Sequence, residues 1–308
     1  MNRYLLFFSY LGHRYRGLQR QSGNSNILDV DCIQGAIEAA FTAVKPKIIN
    51  HKFVSSSRTD AGVHGLFNAA HVELENKLGL FYHPESLTRF LNRHLLRCRH
   101  EIRILKCIPI TKQFHARHSA LSRTYYFRFA VAKNSEIRNL SPISEMNRST
   151  TIRLDEFDIE KLRNGMKHFV GLRDFGTFSV EDKIIKTKVY RRILYEMTLE
   201  KAMPLVPFDP NVKDFDYWHL IIRGKSFVHN QIRRMVGALF GLASGRITEK
   251  ELITMLQVPS KNSWNSRIAT VPANGLYLVN VEYNPEELKE NTIIYNEKEF
   301  LRSVDFDY

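Results

Sequence analysis

Apolar positions recur along this chain with two alternating spacings. Arg3–Tyr10 is aromatic and apolar almost throughout and predicts a buried strand. Ile33, Ile37, Phe41 and Val44 fall on one helical face, with Asp29 or Asp31 ahead of them as the expected cap. Lys52–Val54 predicts a short strand. Ala70, Val72 and Leu74 then alternate with His71, Glu73 and Glu75, the pattern of a strand with one face in water. Pro84 suits a first helical turn, where its missing N–H would have no partner anyway. It opens a helix carrying Leu87, Leu91 and Leu95. Tyr125, Phe127, Phe129 and Val131 alternate as a further strand.

Residues 132–153 are polar, contain Asn134, Ser135, Asn139 and Pro142, and read as a long loop or insertion. The pattern then restarts. Ile159, Leu162, Met166 and Phe169 form a helical stripe, and Val189–Leu199 and Tyr217–Ile222 predict strands. Val228, Ile232, Met235, Val236, Leu239 and Ala243 make a second strong stripe, stopped near Gly245, and Gly275–Tyr283 predicts a last strand. This order is α+β in two comparable halves, without a short repeat.

Composition changes this picture little, and charge changes it more. With 44% apolar and 25% charged residues in 308, the chain is an ordinary globular protein, and wholesale disorder is excluded. The formal charge of +13 points to a polyanionic partner, nucleic acid ahead of a membrane surface. It is unevenly spread. Residues 282–308 carry −5, whereas 89–128 carry +9, together with Phe114, Tyr125, Tyr126 and Phe127. Bases interleaved with aromatics suit phosphate contact and base stacking, although a plain solvated basic face has the same composition. Cys32, Cys98 and Cys107 have no CxxC spacing, so neither a disulfide framework nor a zinc site is expected. No apolar run reaches the roughly 18 residues that a spanning helix needs. The first 28 residues hold Arg3, Arg14, Arg16 and Arg20 and no acid until Asp29, as a transit peptide would. The strand pattern at their start favours a folded segment instead.

Four segments are too rich chemically for plain scaffolding. Ser55–Gly65 reads SSSRTDAGVHG, a loop after a strand that could fix a carboxylate, although Asp-Ala-Gly is also an ordinary turn. Tyr10–Gln21 puts two glycines, three arginines and two glutamines in one loop. Phe114-His115-Ala116-Arg117 precedes Arg123-Thr124-Tyr125-Tyr126. The helix at 227–237 carries Arg233 and Arg234. Arg233 shares a face with Asn230 and Gly237, and the small glycine would leave room for a guanidinium to reach inward; both arginines could equally be solvated.

In this order these segments resemble the TruA-type tRNA pseudouridine synthase family, most closely its animal pseudouridine synthase-like branch. The match rests on SSRTDAGVHG at 56–65, the Tyr-Gly loop at 10–21, FHAR with RTYY at 114–126 and GLRDFGTF at 171–178. It continues in FVHNQIRRMVG at 227–237 and VPANGLYLVNVEY at 271–283. It spans about residues 3–283. Leu18 stands where the family usually has Trp, Arg173-Asp174-Phe175 replaces HDF, and Val271-Pro272-Ala273 replaces APA.

The resemblance implies a fold of two ferredoxin-like halves related by a pseudo-twofold, with mixed or antiparallel sheets around a central catalytic cleft. It implies an N-terminal half at 1–112 carrying the nucleophile loop and a C-terminal half at 113–283. An acidic extension at 284–308 would be flexible or peripheral. It implies an isomerase, an intramolecular transferase, that turns uridine of tRNA into pseudouridine by breaking the N-glycosidic bond and forming a C-glycosidic one. No cofactor and no metal is expected. Asp60 would be the nucleophile, Arg233 its ion-pair partner, and Tyr125 the ring that stacks on the target uracil. Arg58 would support the site beside Asp60 or fill the space left by the flipped base, and Arg14, Arg16, Arg117 and Arg123 would contact RNA phosphates, while Arg234, about 100° round the helix, would meet solvent or phosphate. tRNA is the expected partner, with other RNA left open, and family members often form homodimers. Cytoplasm and mitochondrial matrix both remain open. A protein that grips RNA without catalysis is the competing reading, and a metal-dependent ribonuclease lacks a carboxylate cluster to support it.

Overall fold

The aromatic run at the start of the chain becomes β1 (Asn2–Tyr10), hydrogen-bonded along both of its edges. This is seen in a computed structural model that describes residues 1–20, 29–79, 81–134, 141–152, 156–180, 189–294 and 300–301. It divides the chain into two units, Met1–Leu121 with Leu278–Tyr308, and Ser122–Tyr277.

In the first unit α1 (Ile33–Phe41) and β2 (Ile48–Ser55) lead into the long β3 (His64–Asn76). The short β4 (Phe81–Tyr82), α2 (Pro84–Arg97) and β5 (Ile102–Pro109) follow. β1 lies between β3 and β5 and pairs antiparallel with each, while β2 pairs with β3. Tyr4, Leu6 and Phe8 of β1 join Ile33, Ile37 and Phe41 of α1 and Leu87, Leu91 and Leu95 of α2 in one buried core. On the opposite face Phe7 stacks on Phe67 at 4.8 Å between ring centroids. A strand covered on both faces has no polar alternation, which is why this segment reads as a continuous apolar run.

Two local expectations change. Neither Asp29 nor Asp31 caps α1: the cap is Cys32, whose Sγ accepts from Gly35 N at 3.3 Å, and the Asp29 carboxylate binds Arg16 at 2.6 Å instead. The second face of β3 is also not in water. His71 is buried, its Nδ1 accepts from Ala116 N at 3.1 Å, and the His115 ring lies 4.6 Å away. A polar face over which a backbone segment is laid has the same alternating pattern as one facing solvent.

The second unit opens with β6 (Ala120–Ala132), which carries the predicted alternation. β7 (Thr150–Ile152), α3 (Ile159–Met166) and β8 (Gly171–Asp174) follow, then β9 (Arg191–Ala202), β10 (Phe215–Gly224), α4 (Gln231–Ala243) and α5 (Glu249–Gln257). β6, β10, β9 and β8 form an antiparallel series, and β7 adds to β6 in parallel, so the sheet is mixed. Phe127 and Phe129 of β6 pack edge-on against Phe240 of α4. The described part of 132–153 is not a plain loop. It holds β7 and a 3-10 turn at Ile143–Glu145, pinned by Arg128. Arg128 and Glu145 are both buried and bonded through two N–H groups, at 3.0 and 2.6 Å. One arginine of the basic stretch is therefore internal.

The chain returns to the first unit through β11 (Leu276–Tyr283), which lies next to β3, then α6 (Pro285–Asn291) and β12 (Phe300–Leu301), parallel to β4. The start of the acidic segment is built in. Ser119 donates to Glu287 at 2.6 Å, Ile293 N to Pro109 O at 3.0 Å, and Thr111 binds Asn291. Residues 295–299 and 302–308 of that segment lie outside the described residues.

Candidate active site

Asp60 stands in the turn between β2 and β3, and its neighbours explain how that turn is held. Thr59 is buried, and its hydroxyl is 2.8 Å from the Tyr10 hydroxyl. Asn68, fully buried on β3, donates to Tyr10 Oη at 3.3 Å and accepts from Ser56 Oγ at 3.0 Å and Ala69 N at 2.8 Å. The buried polar chain Ser56–Asn68–Tyr10–Thr59 thus fixes the residues on the N-terminal side of Asp60 to β1 and β3. On the other side Val63 N closes the turn on Asp60 O at 3.2 Å, and Gly62 takes the left-handed φ of 82°.

The Tyr-Gly loop lies directly on this turn. Leu18 N donates to Thr59 O at 3.0 Å, and Gly12 N donates to His64 Nδ1 at 3.1 Å. A Cβ at Gly12 would come within 1.8 Å of Val63 O, so any larger residue would push the two loops apart. That is the structural reason for glycine in this loop. Leu18, where the resembled family usually has Trp, is completely buried. Sequence reasoning singled out both loops but not Asn68, the residue that ties them together. Its signal was an amide between apolar neighbours on a strand.

In the second unit Tyr125 is buried on β6, edge-on to Phe227 at 5.2 Å. Arg233 is in the first turn of α4, half-buried. Its Nε donates to Val271 O at 2.8 Å and its Nη1 to Asn230 Oδ1 at 2.9 Å. Asn230 holds the helix start in the left-handed region, φ 59°. Val271 and Asn230 therefore orient the guanidinium from two sides, one from each neighbouring motif. Gly237 works differently from the expectation. The space it leaves is filled by backbone, since a Cβ there would lie 2.2 Å from Ala269 O. It lets the 269–271 segment approach the helix, which places the Val271 carbonyl against Arg233.

Arg234 is half-buried and engaged by protein groups. Its Nη1 donates to Thr177 O at 2.8 Å and Ser179 O at 3.1 Å, and its guanidinium lies 4.5 Å from the Trp264 ring centroid. Burial pulls its pKa below the ordinary arginine value. At that angle round the helix lie the Thr177 and Ser179 carbonyls and the Trp264 ring.

The arginines assigned to RNA separate into two groups. Arg14, Arg16, Arg58 and Arg117 are exposed, with Arg16 already held by Asp29. Arg123 is buried and donates to Lys225 O at 2.8 Å, a placement that does not suit a surface phosphate contact. Among the described residues no three His, Cys, Asp or Glu side chains are grouped to hold a metal ion, and no helix is long and apolar enough to cross a membrane.

Over 287 residues, covering 93% of each chain, the sequence is 32% identical to the tRNA pseudouridine synthase-like 1 of Xenopus laevis. The chain belongs to the tRNA pseudouridine synthase family. The human tRNA pseudouridine synthase-like 1 is also 32% identical, over 91% of this chain and 90% of its own. A bacterial tRNA pseudouridine synthase A, from Dinoroseobacter shibae, is 29% identical over 94% and 99%. The model of the tRNA pseudouridine synthase family matches residues 166–284, the stretch that contains Arg173-Asp174-Phe175, Arg233 and Val271.

Proposed function

We propose that this protein isomerises specific uridines of tRNA to pseudouridine, with Asp60 as nucleophile. The carboxylate attacks C1′ as the N1–C1′ bond breaks, the freed uracil turns, and C5 bonds to C1′ as the carboxylate leaves it. C5 gives up its proton and N1 gains one, so the reaction conserves atoms and electrons and calls for no co-reactant. Arg233, oriented by Val271 and Asn230, is assigned as the ion-pair partner of Asp60. Tyr125 is assigned to stack on the uracil. The target base has to leave its stack, at a cost of a few kcal/mol. Phosphate contacts from Arg14, Arg16 and Arg117 would offset that cost, with Arg58 beside Asp60 filling the space of the flipped base. The reading extends to a fold of two pseudo-twofold-related halves and to a homodimer on tRNA.

The observation that carries this reading is a carboxylate on a turn fixed by a buried hydrogen-bond chain, inside a family-wide match. Loops are ordinarily mobile, and a turn held this firmly suits a reacting group whose position matters. The test is pseudouridine formation in bulk tRNA by the wild type and by Asp60→Ala. Product with the wild type and none with the variant, at equal RNA affinity, is expected. If neither protein modifies RNA that both bind equally, the protein is an RNA-gripping relative and the enzyme reading fails.

A further inference from the structure

The GLRDFGTF motif has no role in the chemistry above, yet it forms one wall of a cavity in the second unit. The cavity has a volume of about 250 Å³ and is lined by Asp174, Gly176, Ser179, Tyr190, Ser260 and Lys261, among others. Asp174 ends β8, in register with Arg191 of β9. Its Oδ1 accepts from Gly176 N at 2.9 Å, which fixes the carboxylate against its own loop. A Cβ on Gly176 would sit 3.2 Å from Asp174 Oδ1 and 3.6 Å from Pro259, so glycine keeps the space between these two walls open.

The walls are braced from behind. Thr177, fully buried, donates to Met255 O at 2.8 Å and accepts from Ser260 N at 3.1 Å, which joins the motif to the 259–263 turn. Arg234 holds Thr177 O and Ser179 O while lying over Trp264. The paired arginines of α4 thus do separate work: Arg233 turns toward Val271, and Arg234 stiffens this cavity.

We propose that the cavity is a subsite for a guanine base of the RNA, distinct from the target uridine and read by its Watson–Crick edge. An ionised carboxylate only accepts, and guanine offers it two adjacent N–H donors, N1 and the N2 amine. Uracil would set its carbonyl oxygens against the same carboxylate. Tyr190 supplies an aromatic ring for a base to lie on, and Lys261 a positive charge for a phosphate. The volume suits a single base rather than a larger ligand. This inference rests on the reading of the protein as an RNA enzyme. The shared chemistry also fits a free guanine nucleotide.

The test uses the full chain and three labelled single-stranded heptamers: UUUGUUU, UUUIUUU with inosine at the centre, and UUUUUUU. Their Kd values are measured by fluorescence anisotropy, with thermal unfolding as a check on each variant. The wild type is expected to bind the guanosine heptamer about tenfold tighter than the all-uridine one, with inosine between. Asp174→Asn keeps the bond to Gly176 N but loses the carboxylate, so it should bind all three alike at the wild-type affinity for UUUUUUU. Gly176→Ala, which narrows the cavity, should also lose the preference. No guanosine preference in the wild type, or a preference that survives in Asp174→Asn, overturns the proposal. So does GMP binding more tightly than the guanosine heptamer, which would assign the cavity to a free nucleotide. These measurements need no turnover, so absent pseudouridine formation would sink the proposed function while the heptamer result stood by itself.

Discussion

Tyr10→Phe removes one oxygen from the hydrogen-bond chain under the Asp60 turn and little else. Two buried groups lose their partner: the Thr59 hydroxyl, bonded at 2.8 Å, and an Asn68 N–H, bonded at 3.3 Å. A buried polar group left without a bond costs about 1–3 kcal/mol, and the longer contact belongs at the low end. The sum is about 2–3 kcal/mol, or about 30- to 150-fold in the folding equilibrium, since each 1.4 kcal/mol is tenfold. Urea unfolding of Tyr10→Phe, Thr59→Val and the double variant measures both the loss and the coupling, which should be about 1 kcal/mol for residues in direct contact. A second readout is single-turnover pseudouridine formation. The turn should hold Asp60 less well, so the rate should fall more than tenfold while the tRNA Kd stays within twofold. A stability loss below about 0.5 kcal/mol with additive single variants would show that the chain of bonds does not hold the turn.

Arg233→Lys should lose most of the turnover at nearly unchanged stability, because an ammonium cannot meet Val271, Asn230 and a carboxylate with one planar fork. Arg234→Met should instead lower the unfolding midpoint, as measured by denaturation, because the bonds to Thr177 O and Ser179 O are lost; an unchanged midpoint would contradict its placement. Burial pushes the His71 pKa down to about 4 from its usual 6.5, with Arg3 and His115 adding to the effect. The unfolded chain therefore binds the extra proton first. Stability from this group is complete above pH 6.5 and is lost as pH falls toward 4, by about 3 kcal/mol in all. His71→Gln should flatten that part of the urea-midpoint profile, and an unchanged slope would count against it. Raising salt from 50 to 200 mM should weaken tRNA binding at least tenfold through counterion release, read by filter binding, whereas a flat response would mean that the exposed arginines are not the RNA surface.

Elements with strong periodicity were legible. β1, α2, β6 and α4 were all placed from their apolar pattern, because each buries a face large enough to leave one. α5 was not, although Thr248 and Glu251 form a complete capping box, because only Leu252 and Met255 are buried in its nine residues. β5 was missed for a similar reason: it is a short edge strand with exposed Arg103, Leu105 and Lys106 between its buried positions. Charged side chains were the least legible class. Arg123, Arg128 and Arg234 look like any surface arginine in sequence, and what makes them internal is a carbonyl, a carboxylate or an indole ring brought up from far along the chain. The Asp60 loop was visible by composition, but its support was not, since Asn68 and Tyr10 meet only when β1 and β3 are side by side.

β11 comes late in the chain and lies beside β3, so the first unit is complete only after the whole of the second has been synthesised. During translation Phe7 and Phe114 must wait for Tyr283, which packs against both and donates to Ala116 O at 2.7 Å. The nascent chain therefore carries an unfinished N-terminal sheet, with apolar surface open to chaperones, until β11 has been made. A message truncated before codon 278 would make that state permanent: a first unit that cannot close.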